Sequence, residues 1–305
     1  MIKKSKTVVF FGSGSVAAKS LELLSNSFDI EAVITKPKQS SSRDPVPVID
    51  TALKLGIKLF TPTNKNELDE LFRENIFTSE LGVLIDYGII VSAKVINHFR
   101  LGIINSHFSL LPAWRGADPI SFSILSGDKL TGVSLMLINT GIDEGNLIAQ
   151  EEIQIKKLNS VELTDSLIAL SNSMLKKYLP MYLSGEIAPY AQSSKVPVSY
   201  SRKLTKEDGR IDWNKPAEQI EREIRAFTYW PKSFTKIYNI PVIITAVNFN
   251  NSSGRPGSIS YDKKSMNIKC ATNSLDILKL KPIGKPEMNI SSFISGYKNR
   301  FLLSS

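Results

Sequence analysis

Residues 105–112 read Asn105-Ser106-His107-Phe108-Ser109-Leu110-Leu111-Pro112, and an acidic turn, Gly141-Ile142-Asp143-Glu144-Gly145, follows further along the chain. The chain has two histidines, and one of them is His107. An amide, an imidazole and a carboxylate can together polarise a carbonyl, move a proton and hold the ring in place. That is the equipment of acyl transfer without a covalent intermediate, so no Ser or Cys nucleophile is required. Spacing alone leaves His107 open as a buried, hydrogen-bonded histidine or a surface one. Its partners Asn105 and Asp143 favour a functional reading. The other histidine, His98, closes an apolar helical stretch (Val95-Ile96-Asn97-His98-Phe99) and reads as structural.

These residues need a frame that brings them together. Val8-Val9-Phe10-Phe11, Ile30–Ile34, Val83-Leu84-Ile85 and Ile103-Ile104 are short apolar runs with helical stretches between them, around 16–24, 47–55 and 64–73. Alternation of strand and helix implies a parallel α/β sheet. Ligands bind outside the carboxyl ends of such strands. Gly88, Asn105, His107 and Asp143 all fall just after apolar runs. Two more strand-like runs, 132–138 and 147–155, flank the Asp143 turn, and a long helix is expected from about 161 to 183, ending at Gly185. Residues 188–205 hold Pro189, Pro197 and several serines with little periodicity, and read as a linker. A helix near 216–227 and short strands (239–247, 257–260, 266–270 and 275–280) between Gly/Pro turns suit a small β-barrel.

The 305 residues, 42% hydrophobic and 22% charged, suit two globular domains. Of the net charge of +9, +7 falls in residues 206–305. A basic domain beside a nearly neutral one points to an anionic partner such as nucleic acid, and equally suits a generally lysine-rich protein. With one cysteine, Cys270, an internal disulfide and a cysteine-type zinc cluster are excluded. Cys270 lies in an alternating run with Met266 and Ile268 and reads as a small buried hydrophobe. The apolar run behind the basic N-terminus is too short for a signal peptide or a membrane span, so a cytosolic protein is expected. Gly12-Ser13-Gly14 after the first strand suggests a dinucleotide fingerprint, with Ala17 in third place. Ile34-Thr35-Lys36 stands where the ribose-binding acid belongs, which argues against a nicotinamide cofactor. The glycines are expected instead to let another ligand approach the strand end.

Asn105-x-His107-x-Ser109-Leu110-Leu111-Pro112, with Trp114-Arg115-Gly116-Ala117-Asp118-Pro119-Ile120, Thr131-Gly132-Val133 and the Asp143 turn, resembles the formyltransferases that use 10-formyltetrahydrofolate. The back half is similar to the methionyl-tRNA branch of that family. The segments that carry this likeness are 200–213 (Tyr200 to Trp213), Arg225-Ala226-Phe227 with Trp230-Pro231, and Leu280-Lys281-Pro282-Ile283-Gly284-Lys285-Pro286-Glu287-Met288. The resemblance spans nearly the whole chain. It implies a Rossmann-like, mostly parallel catalytic domain over 1–188, a linker over 189–206, and an OB-like β-barrel tRNA-binding domain over 207–305. It implies formyl transfer from 10-formyltetrahydrofolate to the methionine amino group on initiator methionyl-tRNA, by a cytoplasmic monomer without a metal (bacterial cytosol or organelle matrix). Asn105, His107 and Asp143 would be catalytic. The folate would lie along Ser109, Leu110, Leu111, Pro112, Tyr87 and Gly88, chiefly through backbone groups. Arg43, Lys38, Lys263 and Lys264 would meet the tRNA. Two departures stand out. The loop over 36–44 is shorter and less basic than the Gly/Arg/Lys-rich loop of the family, and Asp86 stands where a small residue is usual before Tyr-Gly. The competing readings are a sugar-nucleotide N-formyltransferase and a non-catalytic RNA-binding protein. The basic C-terminal region argues against the first, and the intact Asn-His-Asp set against the second.

Overall fold

The computed structural model describes residues 7–38, 46–74 and 76–302. They divide into two compact units. One comprises the described residues of Met1–Pro119, Leu130–Gln154 and Thr164–Ser201; the other comprises those of Ile120–Lys129, Ile155–Leu163 and Arg202–Ser305.

The first unit is built on a seven-stranded sheet. Its opening strand, β1 (Thr7–Phe11), is β-branched and aromatic throughout, and Val8 to Phe11 are fully buried, as befits a strand covered on both faces. It leads into α1 (Ser15–Ser25), β2 (Asp29–Ile34) and α2 (Pro47–Lys54), which takes its proline in the first turn. Then come β3 (Leu59–Phe60) and α3 (Lys65–Leu71), whose start is fixed by Asn64 accepting from the backbone N–H of Asn66 (2.9 Å) and of Glu67 (3.1 Å). After β4 (Gly82–Leu84), α4 (Ala93–His98) and β5 (Ile103–His107), the chain forms β6 (Arg115–Gly116), α5 (Pro119–Ser126, in the second unit from Ile120 on), β7 (Leu130–Leu137), β8 (Leu147–Gln154), α6 (Ser160–Ser184, in the first unit from Thr164 on) and β9 (Tyr200–Ser201). The order in the sheet is β3-β2-β1-β4-β5-β7-β8. Strands β1 to β5 run parallel, while β7 and β8 are antiparallel to their neighbours. The chain reverses its winding direction between β1 and β4. A crevice of that kind, outside the carboxyl ends of strands, is where such sheets take ligands.

His98 is packed edge-on against Phe72, Phe77 and Phe99, as its place at a helix end suggested. Gly12 and Gly14 also meet a packing demand that does not depend on a ligand. A Cβ on Gly12 would lie 2.5 Å from Ala17 Cβ and 2.8 Å from the Ile85 carbonyl, and one on Gly14 would lie 2.2 Å from Asp86 Oδ2. At Gly12 the clash is with a Cβ and a backbone carbonyl, which cannot move aside; at Gly14 it is with the end of the Asp86 side chain.

The stretch read as aperiodic is tied down within the first unit. Tyr190 and Leu147 exchange backbone hydrogen bonds of 2.7 and 2.9 Å, and β9 pairs with β6 in parallel. Side chains that fold onto another element leave no periodic trace.

The second unit contains α7 (Ala217–Ala226) and an antiparallel sheet of β10 (Ser233–Ile237), β11 (Ile240–Asn250), β12 (Ile259–Tyr261), β13 (Met266–Lys269), β14 (Ser274–Pro282) and β15 (Met288–Asn289). The path is β10-β11-β14-β13-β12 with β15 added on β14, a half-barrel in which β10 and β12 are not paired with each other among the described residues. Helix α7 buries Ala217, Ile220 and Ile224 at helical spacing, and each isoleucine contributes about 2 kcal/mol by leaving water. Glu223 is buried on the same helix and held by Lys215 Nζ at 2.6 Å. The chain closes on α8 (Ile290–Leu302), whose Phe293, Ile294 and Phe301 complete this core.

Candidate active site

Asn105 and His107 are two apart on β5, so they share one face of the strand. Ser106 between them points to the other face, where its hydroxyl meets that of Ser171 at 2.7 Å. Next to β5 lies β7, with His107 opposite Ser134 in antiparallel register. The loop from β7 to β8 then returns Asp143 to the strand end. Asp143 sits at φ 49, in the left-handed region that non-glycine residues rarely occupy and that recurs at functional sites.

Two side chains and one backbone N–H converge on the Asp143 carboxyl. Asn105 Nδ2 donates to Oδ1 at 3.3 Å, and the Gly116 N–H donates to Oδ2 at 2.8 Å. His107 Nδ1 stands 3.6 Å from the same Oδ2. On its far side, His107 Nε2 lies 3.0 Å from the Trp114 carbonyl oxygen. A carbonyl only accepts, so Nε2 carries a hydrogen. Burial pushes the His107 pKa below the ordinary histidine value of 6.5, against the opposing pull of the Asp143 charge and the Trp114 carbonyl. The resting imidazole is therefore neutral, protonated on Nε2, with the bare Nδ1 facing Asp143. A pair arranged in this way can take up one proton and give it back. Asn105, with one N–H directed at Asp143, keeps a second N–H to donate elsewhere.

Gly116 and Trp114 stand in the run that carries the family resemblance, but the sequence assigns neither of them a role. Both sit between the Ser109–Pro112 motif and α5. Gly116 is at φ 109, and a Cβ there would lie 2.3 Å from the Ser201 carbonyl, so only glycine can bring its N–H to Asp143.

The turn after His107 is internally occupied. Ser109 donates its hydroxyl to the Ala113 carbonyl at 2.6 Å, and its own carbonyl accepts from Ser134 Oγ at 2.6 Å. The Leu110 carbonyl accepts from Ala113 N–H at 3.0 Å, and Leu111 N–H donates to Ser134 Oγ at 3.0 Å. The Leu111 carbonyl accepts from Gln150 Nε2 at 2.8 Å, and that of Pro112 accepts from Ser199 N–H at 3.3 Å. Tyr87 turns its ring into the core against Phe11 and gives its carbonyl to Ser13 Oγ at 2.7 Å. Gly88 follows at φ 68, close to Lys36 Nζ. Two residues before it, the exposed Asp86 has its pKa raised to about 6, chiefly by the protein atoms around its carboxyl and further by Asp118, against the pull of the Lys36 charge. Sheet order sets the ends of β2, β1, β4 and β5 side by side. Lys36, Ser13, Asp86–Gly88 and Asn105–His107 thus share one edge.

Lys38 is exposed shortly after β2, and Arg43 lies outside the described residues. Lys263 and Lys264 are exposed in the β12–β13 turn, which Asp262 shapes by accepting from Lys264 N–H at 2.7 Å and Ser265 N–H at 2.8 Å. Among the described residues, no three His, Cys, Asp or Glu side chains gather where they could hold a metal ion. No described helix is long and apolar enough to cross a membrane.

A mostly parallel sheet carrying an amide, a histidine and a carboxyl at its strand ends, followed by an antiparallel half-barrel, is the frame of a group-transfer enzyme. Residues 5–177 match the family model described as Formyl transferase, and residues 203–298 match Formyl transferase, C-terminal domain. The chain belongs to the formyl transferase family. It is 33% identical over 297 residues to a methionyl-tRNA formyltransferase of Listeria innocua, covering 95% of each chain. It is 34% identical to that of Buchnera aphidicola, covering 100% of this chain and 99% of the relative. Among solved structures, an N-formyltransferase of Helicobacter canadensis in complex with folinic acid and dTDP-3-aminofucose has the same fold at 22% identity. Its TM-score is 0.67, with 90% of this chain and 98% of that chain covered. HypX of Aquifex aeolicus in complex with tetrahydrofolic acid aligns with a TM-score of 0.64 at 14% identity, over 95% of this chain and 47% of that one.

Proposed function

We propose that this enzyme transfers the formyl group of 10-formyltetrahydrofolate to the amino group of methionine on initiator methionyl-tRNA. The choice of acceptor rests on one observation: relatives of that name match end to end, through the C-terminal half as well as the sheet domain. The reading takes 1–188 as the catalytic domain, 189–206 as its connection and 207–305 as the tRNA-binding domain, in a cytoplasmic monomer.

In this mechanism the neutral methionine amine attacks the formyl carbon. Negative charge gathers on the formyl oxygen, and the free N–H of Asn105 donates to it. One such donor contributes about 3 kcal/mol to lowering the barrier. The attacking nitrogen becomes acidic as its bond to carbon forms. With Nε2–H committed to Trp114, the His107 Nδ1 and Asp143 Oδ2 pair takes that proton. The same proton then passes to folate N10 as the carbon–N10 bond breaks, so no net charge accumulates. The fixed turn at Ser109–Pro112 and the Gly88 strand end would hold the folate. Lys38, Arg43, Lys263 and Lys264 would hold the tRNA.

The test is formylation of methionyl-tRNA with 10-formyltetrahydrofolate as donor and a nucleotide-linked amino sugar as control acceptor. Formylmethionyl-tRNA without formylated sugar is expected. The reverse preference would replace this reading with a sugar N-formyltransferase. Binding of tRNA without transfer to either acceptor would leave an RNA-binding protein.

A further inference from the structure

We infer that Gln192 is a positioning residue for the transfer reaction, holding the Asp143 turn by its two carbonyl oxygens. This rests on the catalytic role proposed for Asp143.

The left-handed backbone at Asp143 is one that non-glycine residues rarely adopt, so the contacts that hold this turn matter. Gln192 Nε2 donates to the carbonyl of Asp143 itself at 2.8 Å and to that of Gly145 at 3.0 Å. Both hydrogens of one amide are spent on a single turn. The amide is oriented from behind, since its oxygen accepts from Arg115 Nη2 at 2.8 Å. A guanidinium only donates, so the amide nitrogen must face the turn. The same guanidinium lies 3.8 Å from Glu144 Oε2, the residue after Asp143. Residues 143, 144 and 145 are therefore each held from the Arg115–Gln192 side. Two residues before Gln192, Tyr190 pairs its backbone with Leu147. The Gln192 side chain extends that pairing past the point where the Asp143 turn leaves the strand.

Gln192 reaches none of the three candidate catalytic side chains. It fixes the backbone from which Asp143 meets Asn105, Gly116 N–H and His107. Loss of the hold should slow the chemical step without weakening binding.

Gln192→Glu keeps the acceptor for Arg115, removes both donors and turns its second carboxylate oxygen toward the two carbonyls. Gln192→Met has the same length and no charge, and covers the case in which the glutamate does not fold. Either variant should lower kcat by between about tenfold and a hundredfold, the scale of a misplaced catalytic group. KM for folate and tRNA should stay within about twofold. Combined with Asp143→Asn, either should add little further loss, because both act through one carboxyl. Wild-type kcat in the Gln192 variants, a loss confined to KM, unfolding of both variants, or a fully multiplicative loss in the double variant would each overturn the proposal. Wild-type turnover of Asp143→Asn alone would instead remove the reading on which the proposal rests, and the proposal with it.

Discussion

Replacing Asp143 by asparagine is a sharp test of how the site works, because the structure dictates where the damage goes. Asparagine tolerates the left-handed backbone, so Asp143→Asn should fold. An amide offers one oxygen where the carboxyl offers two. The Gly116 N–H, at 2.8 Å, belongs to β6, whose backbone is held by its pairing with β9, and it will claim that oxygen. The new amide nitrogen then faces Asn105 Nδ2, donor against donor, where the native carboxyl accepts at 3.3 Å. Asn105 relieves the clash by flipping, and its oxygen replaces the N–H meant for the formyl oxygen. His107 also loses the charge that steadies its protonated form. The loss of one oxyanion donor alone costs about 3 kcal/mol of barrier, or roughly a hundredfold to a thousandfold in kcat. Single-turnover formylation with saturating methionyl-tRNA measures this directly, with folate affinity and thermal midpoint as controls. Turnover within about threefold of wild type would refute this geometry. So would a variant in which Asn105→Ala adds its own full penalty, since the donor should already be misdirected.

Three further outcomes are expected. Burial lowers the folded-state pKa of His107 below the ordinary 6.5, so above that pH neither state holds the extra proton. Below it the unfolded chain takes a proton that the native site refuses. Unfolding free energy should therefore fall as pH drops below about 6.5, by up to about 1.4 kcal/mol per pH unit from this group, and His107→Gln should flatten that difference in urea titrations at pH 7 and 5. Reversing Lys263 and Lys264 to Glu should raise KM for tRNA and make binding less sensitive to salt, the logarithmic slope falling by roughly one for each phosphate no longer neutralised, while single-turnover chemistry is unchanged; an unaltered slope would exclude this turn from the tRNA interface. Burial, aided by the charge of Glu218, raises the Cys270 thiol to about 11, so thiol reagents at pH 8 should label the native protein about a hundredfold more slowly than the urea-unfolded chain.

Much of the site is legible in the sequence because it is written in local pattern. Asn105 and His107 follow an apolar strand, and their two-residue spacing puts them on one face. The Asp143 turn lies between two strand-like runs that became β7 and β8 within a residue or two at most ends. The groups that complete the site are harder to read. Trp114 contributes a carbonyl and Gly116 an N–H, and backbone groups are the same in every residue. Gln192 stands among serines and prolines in a stretch without period, and its role exists only through the fold. The final helix carries a signal in Ile290, Phe293, Ile294, Tyr297 and Phe301, spaced for one helical face, in a region whose other apolar runs alternate as strands. Short strands such as β3 and β9, two residues each, are below the length at which alternation can be recognised.

The alternation along β5 has a consequence for how this protein can vary. Ser106 is anchored to Ser171 on one face while its two neighbours serve the chemistry on the other. Substitution at any of the three positions alters one group and leaves the rest in place. Insertion or deletion of a single residue between Ile103 and His107 would exchange the faces at once, presenting a serine to the substrate and turning the amide or the imidazole toward Ser171. Change of length is therefore far more hazardous here than change of identity. In a lineage of such enzymes, the residues of β5 other than Asn105 and His107 should drift in composition long before the strand drifts in length.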